Sequence, residues 1–505
     1  MPANDSPAVL VARFLKANNY LETLNAFLTE AGLPPDTGTL SKGDLTIENV
    51  LHEKKVFDLS LQFEKLDADE QLGQWQIPAP SRPTILKTLP APSNILNVSI
   101  EAFTSENNAD PDAMLVSTAD RRLSKVSTDP SKLDLIDSIT HLHDAPILSW
   151  TTLGNQYVVT TSMSGRIALS SGILNEVFDS RKDHSKYVVK VTSWTDENSG
   201  QIWLATAGWD AKIHIHHPTI DLPRNQRSLN PPVATIALPT NPEAILFLRH
   251  PQTLKPILIA SRRDSTFLYY YDLSFISQAS PSTSSDASPP SPPLLGRQNL
   301  TPYSNAWIAF TPCALAPSPL DPHTLAIATS STPHMKLIIV RLLFPSTATS
   351  TSDAQPLSTS SQNPLLASTS AQQANAADKL LQERESAAII FTTSTFAPQT
   401  PYSTPNLVWR PDGSGIWVNG DDGVVRGVEV KSGKVVARLG GLESTAEGEG
   451  HEVGSKVRCL WAGMVGQGDE KEEWVVSGGF DQRLVVWRCA RPGGEGQRQR
   501  EGSAE

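Results

Sequence analysis

The stretch that decides the fold is SGGFDQRLVVW, residues 477–487, which follows a Gly450-His451 pair near the end of the 505-residue sequence. Ser477 stands four residues before Asp481, and Trp487 stands six residues after it. The acidic turn separates two strand-like runs, so the stretch predicts a β-hairpin with an aspartate at its bend. Regular repetition of this hairpin elsewhere in the chain would indicate a repeat architecture.

This arrangement resembles one blade of a WD-repeat β-propeller. The resemblance implies that Asp481 accepts hydrogen bonds from His451 and from nearby backbone, while Ser477 and Trp487 complete the buried chain. A buried polar network of this kind is tolerated only when nearly every group in it has a partner. We therefore expect these four side chains to be structural.

The same six-residue offset recurs along the chain, at intervals near the roughly 40–45 residues of a WD repeat. Each pair of residues lies between two strand-like segments. The pairs are Asp120 and Val126, Ser164 and Ser170, Asp210 and His216, Asp264 and Tyr270, and Asp422 and Val428. The step from Asp264 to Asp422 is much longer than the others, which leaves room for two further blades and for insertions.

Two low-complexity stretches, residues 274–299 and 345–386, account for the surplus length in that step. Between them, Trp307–Leu343 contains LAIATS and MKLIIVRLL, a strand pair that lacks the turn aspartate. We predict a mainly β chain with a seven-bladed WD-type β-propeller whose fifth blade departs most from the pattern. Residues 83–90 are expected to form the outermost strand of the last blade and so close the ring. An all-β sandwich is the alternative fold.

The third blade comes closest to the histidine, hydroxyl, aspartate and tryptophan pattern of the last blade. It differs only in having His216 at the position of the tryptophan. His143 fits the histidine that opens the second blade, whereas His141 has no assigned role. The residues predicted to form structural blade networks are His451, Ser477, Asp481, Trp487, His184, Thr206, Asp210, Asp120, Asp264 and Asp422.

Residues 6–33 predict two short amphipathic helices joined by a turn at Asn18-Asn19. Ser6 can cap the first helix, and Gly32 with the prolines that follow it ends the second. About 40 residues are too few for an autonomous core, so the two apolar faces predict pairing with an identical copy. An ordinary helical hairpin docked on the rest of the chain is the alternative.

This pattern of residues resembles the Lis-homology (LisH) motif, a short helical dimerisation unit. The leucine, the apolar pair, the tyrosine, the phenylalanine and the glutamate of the motif all have counterparts in this sequence. The resemblance implies a homodimer whose contacts include Leu10, Phe14, Leu15, Tyr20, Leu24, Phe27 and Glu30.

The sequence thus divides into several parts. We expect a LisH-type module with a follow-on helix at 6–66, a linker at 67–82, a propeller at 83–490 with disordered inserts at about 274–299 and 345–386, and a disordered tail at 491–505. Helical spacing favours the follow-on helix within residues 46–66, although Phe57 to Phe63 also fits strand alternation. Residues 374–386 are a candidate for an isolated helix that orders on a partner.

Composition narrows the class of protein. The net charge of −11 argues against non-specific binding to nucleic acid or to anionic membranes. Cys313, Cys459 and Cys489 are too few and too scattered for a disulfide framework or a cysteine zinc site. The sequence shows neither a secretory-signal pattern nor an apolar run of membrane-spanning length, so we expect a soluble cytoplasmic or nuclear protein.

The sequence contains few residues that could form a catalytic site. His451, Ser477 and Asp481 superficially make a catalytic triad, but the blade pattern already accounts for all three. No Gly-x-Ser-x-Gly turn and no phosphate-binding glycine motif occurs. We therefore predict that the protein is not an enzyme.

Two further groups of residues are candidates for a metal site and for modification. His214 and His216 share one strand face and lie next to His217, but zinc catalysis needs a third ligand, so neither a metal nor another cofactor is predicted. Three serines that precede prolines are candidates for phosphorylation: Ser280, Ser288 and Ser291.

Together, the resemblances imply a non-catalytic scaffold or adaptor that homodimerises through its helices and binds protein partners or peptides on the propeller face. Proteins that combine these modules include subunits of microtubule-motor regulators, ubiquitin-ligase assemblies and transcriptional corepressors. A substrate receptor or structural subunit of a ubiquitin ligase or corepressor is therefore the alternative. An enzyme with a site in the propeller channel is disfavoured, because no acid–base pair or metal set remains once the blade residues are assigned.

Overall fold

The structure is a computed structural model, and its described residues fall into two compact units, a helical one before residue 72 and a β-rich one from residue 75 onward. No described helix is both long enough and apolar enough to cross a bilayer. The described residues are 6–39, 46–49, 51, 75, 77–105, 108–109, 112–129, 132–172, 176–196, 200–221, 226–274, 289–303, 310–345, 378–441, 450–466 and 471–489.

The helical unit contains α1 (Pro7–Ala17) and α2 (Leu21–Glu30). Ser6 caps α1, because its Oγ accepts a hydrogen bond of 3.4 Å from a backbone N–H in the first turn. Asn19, with φ of 60°, turns the chain between the helices, and Gly32, with φ of 63°, follows α2. The predicted helix pair is confirmed. Of the follow-on helix, residues 47–49 and 51 are helical, and 52–66 lie outside the described residues.

The β-rich unit consists of seven four-stranded antiparallel sheets, and its first strand, β1 (Arg82–Ile85), belongs to the last of them. Blades 1 to 6 each run in chain order from the innermost to the outermost strand. Blade 1 contains β2 (Ile95–Glu101), β5 (Ala113–Thr118), β6 (Leu123–Ser127) and β7 (Leu135–Ile139), and a small hairpin of β3 (Thr104–Ser105) and β4 (Asn108–Ala109) follows β2. Blade 2 contains β8 (Ile147–Leu153), β9 (Tyr157–Ser162), β10 (Arg166–Ser171) and β11 (Val177–Lys182). Blade 3 contains β12 (Val188–Thr195), β13 (Ile202–Gly208), β14 (Lys212–His216) and β17 (Ala234–Ala237), with an inserted hairpin of β15 (Thr219–Asp221) and β16 (Gln226–Ser228).

The remaining blades follow the same plan. Blade 4 contains β18 (Pro242–Arg249), β19 (Pro256–Arg262), β20 (Phe267–Asp272) and β21 (Leu294–Asn299). Blade 5 contains β22 (Pro312–Pro317), β23 (Thr324–Thr329), β24 (His334–Arg341) and β25 (Ile389–Pro398). Blade 6 contains β26 (Leu407–Trp409), β27 (Gly415–Val418), β28 (Val425–Glu429) and β29 (Val435–Leu439). Blade 7 contains β30 (Val457–Val465), β31 (Glu472–Gly479), β32 (Leu484–Arg488) and β1.

The blades close into a ring. Their first strands touch in a circle, from β2 through β8, β12, β18, β22 and β26 to β30 and back to β2. β1 pairs antiparallel with β32, with Arg82 opposite Arg488 and Ile85 opposite Val485. The predicted seven-bladed propeller is confirmed, and its closing strand is shorter than the predicted 83–90.

The core lies in the seams between neighbouring blades. Second strands such as β9 and β23 are buried along almost their whole length, because both of their faces pack against other blades. The seam between blades 7 and 1 is filled by Ile95, Val116, Trp474 and Val486 among others. This burial on two sides explains why these strands read as continuous apolar or small-residue runs in the sequence.

Both predicted inserts need correction. The first, 274–299, is too long, because residues 294–299 form β21 and pair with β20. In the second, 345–386, a helix at 378–388 leads directly into β25. Polar, low-complexity composition does not reveal that a segment's backbone will pair with a neighbouring strand. Residues 275–288, 346–377 and the tail from 490 lie outside the described part of the chain.

The linker prediction, 67–82, is wrong at its C-terminal end. Trp75 packs edge-on against Trp417, with 4.9 Å between the ring centroids. A β-carbon placed on Gly415 or on Gly427 would lie 2.3 Å from the Trp75 ring, so only glycine leaves room for it. β1 then begins at Arg82, inside the predicted linker. Residues 67–74 and 76 are not among those described.

Candidate functional site

The residues predicted for dimerisation divide into a buried and an exposed group. The buried group holds the helix pair together, because α1 and α2 pack through Ala12, Leu24 and Leu28 with Leu15, Phe27 and Leu33 against them. Leu15, Leu24 and Phe27 therefore contribute to the unit's own small core, a role that the sequence did not distinguish from dimer contacts.

The other group, Leu10, Phe14, Tyr20 and Glu30, is half-buried or exposed. Tyr20 is 54% exposed and its neighbour Leu21 is 55% exposed. The Tyr20 ring lies 6.5 Å from the ring of half-buried Phe14, and half-buried Leu10 stands one helical turn before Phe14. Glu30 is exposed at the end of α2. We call Leu10, Phe14, Tyr20 and Leu21 the helical apolar surface.

Blade 7 brings all four of its predicted network residues together. His451 Nδ1 lies 2.9 Å from Asp481 Oδ2, and His451 Nε2 lies 2.8 Å from Ser477 Oγ. Trp487 Nε1 donates to the same hydroxyl at 2.9 Å. This pattern assigns the Nδ1 proton to His451, which donates to the carboxylate while Nε2 accepts from Ser477.

The turn carboxylate of blade 7 is held ionised. Burial raises the pKa of Asp481, but the hydrogen bond from His451 and those from the backbone N–H groups of Glu452 and Arg483 outweigh burial and lower it. The carboxylate accepts from those N–H groups at 2.9 and 3.2 Å. Asp481 therefore ties the turn to the loop that precedes the blade.

Blade 3 repeats this arrangement without the tryptophan. His184 Nδ1 lies 2.9 Å from Asp210 Oδ1, and its Nε2 lies 2.9 Å from Thr206 Oγ1. His216, in the position of the tryptophan, is fully buried but bonds instead to the Asn230 carbonyl at 3.2 Å. The histidine side chain is too short to complete the network as Trp487 does.

Blades 1 and 2 each keep a carboxylate at the blade turn, with different partners in blade 1 and from a different position in the sequence in blade 2. In blade 1, Asp120 accepts from Thr118 Oγ1 at 2.5 Å and from Arg122 Nε at 2.7 Å. In blade 2, Ser164 occupies the turn and donates to Asp144 at 2.6 Å, so the acid has moved to the residue after His143. The fixed offset from the turn could not reveal Asp144.

Blades 4 and 6 depart further from the prediction. Asp264 is exposed, and its carboxylate accepts no hydrogen bond from any described residue. The prediction of a network role for Asp264 is therefore wrong. Asp422 pairs with Arg426 through two N–H···O contacts of 3.0 and 2.5 Å. An arginine four residues after the aspartate replaces the histidine that the pattern requires from the preceding loop.

Comparison with protein families agrees with this geometry in the helical unit and in part of the propeller. Residues 8–34, which span α1 and α2, match the family model described as "UCP007778, LisH domain". Residues 315–445, which span most of blades 5 and 6, match the model described as "UCP007778, beta-propeller domain". The chain carries a LisH domain and a β-propeller. The comparison with curated proteins gave no match.

One face of the propeller carries exposed apolar side chains. In an antiparallel blade, the turn between the second and third strands lies at the same end as the loop that enters the blade. Phe480, in such a turn, is 42% exposed, and Tyr187 and Val453, in two entry loops, are 43% and 66% exposed. We call Tyr187, Val453 and Phe480 the propeller-face residues.

The Ser-His-Asp set of the propeller is sealed from solvent. The side chains of His451 and Asp481 are both 0% exposed, and Ser477 is fully buried. The Ser477 hydroxyl also accepts a hydrogen bond from Trp487. A nucleophile needs access to substrate, so this geometry supports a structural role for the set.

The predicted phosphorylation sites are only partly described. Ser291 is exposed three residues before β21, and Ser280 and Ser288 lie outside the described residues. Phosphorylation of all three stays a prediction.

Proposed function

We propose that the protein is a non-catalytic scaffold or adaptor in which the LisH domain joins two copies and the propeller binds protein partners or peptides. The helical apolar surface carries this proposal. Tyr20 and Leu21 are more than half exposed although the helical unit has only a small core of its own. Covering these side chains with the same surface of a second copy would remove apolar area from water on both.

The propeller supplies the binding half of the proposal. Its rigid ring holds Tyr187, Val453 and Phe480 on one face without closing over them. Two such faces joined in one dimer would raise the effective affinity for a partner that carries two binding segments. The three cysteines are free thiols, which agrees with action in the reducing cytoplasm or nucleus.

The dimer half can be tested in the full-length chain with two differently tagged copies expressed together. The wild-type copies should co-purify, whereas Tyr20→Asp should abolish co-purification by placing a charge in the buried contact. Tyr402→Asp is the matched control, because Tyr402 is 91% exposed in the propeller and outside the helical unit. Equal co-purification of the Tyr20→Asp and Tyr402→Asp chains would refute the proposed dimer surface.

The propeller half can be tested with a photo-crosslinking amino acid placed at 187 or 480. Capture of cellular proteins should exceed that from position 136, where Ile136 is 56% exposed on an outermost strand. Equal capture at the three positions would remove the support for this face as the binding face.

A further inference from the structure

We propose that His184, Asp210 and His214 form a binding site for one divalent transition-metal ion, with Zn²⁺ as the ion to be tested. The site lies in blade 3, where β14 meets the turn of Trp209 and Asp210 and the loop before β12. It adds a metal to a blade network that the sequence explains as purely structural.

The three side chains converge on one point. One ligand atom from each lies within 4.8 Å of the other two. The His184 and His214 rings are 4.4 Å apart between centroids, and His184 Nδ1 is 2.9 Å from Asp210 Oδ1. Two imidazole nitrogens and a carboxylate oxygen are a ligand set that zinc takes, with a water or another donor in the fourth position.

Each histidine is already oriented by a hydroxyl on its other nitrogen. Thr206 Oγ1 lies 2.9 Å from His184 Nε2, and Thr235 Oγ1 lies 2.9 Å from His214 Nδ1. Metal-bound histidines are held in this way, because a hydrogen bond to the outer nitrogen sets the ring orientation and the tautomer. The nitrogens that remain for a metal are His184 Nδ1 and His214 Nε2.

His214 Nε2 gives the strongest indication that an ion binds here. His214 Nε2 is buried and has no hydrogen-bond partner among the described residues. A buried polar atom without a partner is costly, and an ion or water is a common explanation for one. Asp210 lies in the turn between β13 and β14, where its side chain is 7% exposed.

Blade 7 provides an internal comparison. Thr206 pairs with His214 in the β13–β14 register, and Ser477 pairs with Val485 at the same place in β31–β32. The His–Asp–hydroxyl network of blade 7 therefore has valine where blade 3 has His214. Since the network forms in blade 7 without this third side chain, His214 is not needed for it.

The arrangement of the three side chains is close to what a metal requires. Tetrahedral ligands with bonds of about 2.0–2.1 Å stand roughly 3.3 Å apart, so His184 Nδ1 and Asp210 Oδ1, which are 2.9 Å apart, would separate slightly, and a third ligand atom up to 4.8 Å away would move closer. The His184 proton moves from Nδ1 to Nε2 in that change, and none is released.

The test measures zinc uptake by the full-length chain after treatment with a chelator that is then removed. Zn²⁺ is titrated in competition with a chromogenic chelator, and Co²⁺ absorption reports on the ligands. His214→Val is the key variant, because it reproduces the Val485 arrangement and leaves the His184–Asp210–Thr206 network in place. His141→Ala, which removes an exposed histidine, controls for adventitious binding.

We expect one equivalent of Zn²⁺ for the wild-type chain and for His141→Ala, a rise in melting temperature with Zn²⁺, and loss of both effects in His214→Val. Asp210→Asn provides a second variant should His214→Val not fold, and it should also lose the bound equivalent. Equal zinc uptake by the wild-type and His214→Val chains would overturn the proposal, as would wild-type uptake of less than half an equivalent.

Discussion

The Arg410 guanidinium is fully buried and forms a two-pronged ion pair with the Glu473 carboxylate, with Nη2–Oε2 at 2.6 Å and Nε–Oε1 at 3.0 Å. This pair fastens blade 6 to blade 7. Nη1 donates to the Ile77 carbonyl at 3.4 Å, Nη2 also donates to the Pro78 carbonyl at 3.3 Å, and the guanidinium lies 4.6 Å from the centroid of the Trp75 ring. Arg410 therefore joins two blades and the segment that leads into the closing strand.

Arg410→Ala should reduce the free energy of unfolding by about 3–5 kcal/mol, because it leaves the Glu473 carboxylate buried without its cation. Urea unfolding followed by tryptophan fluorescence measures the change. Lys132→Ala is the control, since Lys132 pairs with Asp134 on the surface and its loss should leave the unfolding midpoint close to that of the wild type. A similar loss in both variants would contradict the role given to Arg410.

Gly415→Ala should cost about 1–3 kcal/mol, because the added methyl group collides with the Trp75 ring. In a Trp75→Ala background the collision partner is gone, so the same substitution should cost much less. The double-mutant cycle in urea measures this coupling. Additive effects would show that Trp75 does not occupy the space beside Gly415 in solution.

Ser477→Ala should destabilise blade 7 by roughly 1–3 kcal/mol, because Trp487 Nε1 and His451 Nε2 both lose their partner. Ser432→Ala, at an exposed serine, should change stability by less than about 0.5 kcal/mol. Thermal unfolding of the two variants side by side provides the measurement. Equal melting temperatures would mean that the buried network contributes nothing.

Stability should fall as the pH drops from about 6.5 to about 4. Burial lowers the pKa values of His143, His214 and His216 to about 4, so the unfolded chain binds more protons than the folded chain in this window. Each histidine contributes at most about 1.4 kcal/mol per pH unit there, and nothing above the window. Urea unfolding at pH 7.5 and 5, with a chelator present, measures the slope.

His143→Gln should make that slope shallower, whereas His141→Gln, at an exposed histidine, should leave it unchanged. Slopes that are identical in the two variants would contradict the assignment of the acid sensitivity to buried histidines.

The seven blades could be predicted because the turn residue recurs at a regular interval even where its network has decayed. Asp264 shows the difference, since it marks the correct turn of blade 4 yet forms no network. Asp144 and Arg426 were missed because each replaces a missing group from a position that the fixed offset does not examine.

The packing of Trp75 could not be predicted from the sequence for another reason. Gly415 and Gly427 read as ordinary strand or turn glycines, and only the folded chain brings residue 75 next to them. Likewise, no metal was predicted at His214 and His216 for want of a third ligand, because His184 and Asp210 come from a loop and a turn that only the fold places beside His214.

The mass of the full-length chain in solution tests the scaffold account most directly. Sedimentation equilibrium over nanomolar to micromolar concentrations should give twice the chain mass of 54.7 kDa for the wild type at the upper end. The Tyr20→Asp chain should stay at the single-chain mass while Tyr402→Asp behaves as the wild type does. A wild-type chain that stays at 54.7 kDa throughout the range would contradict the account.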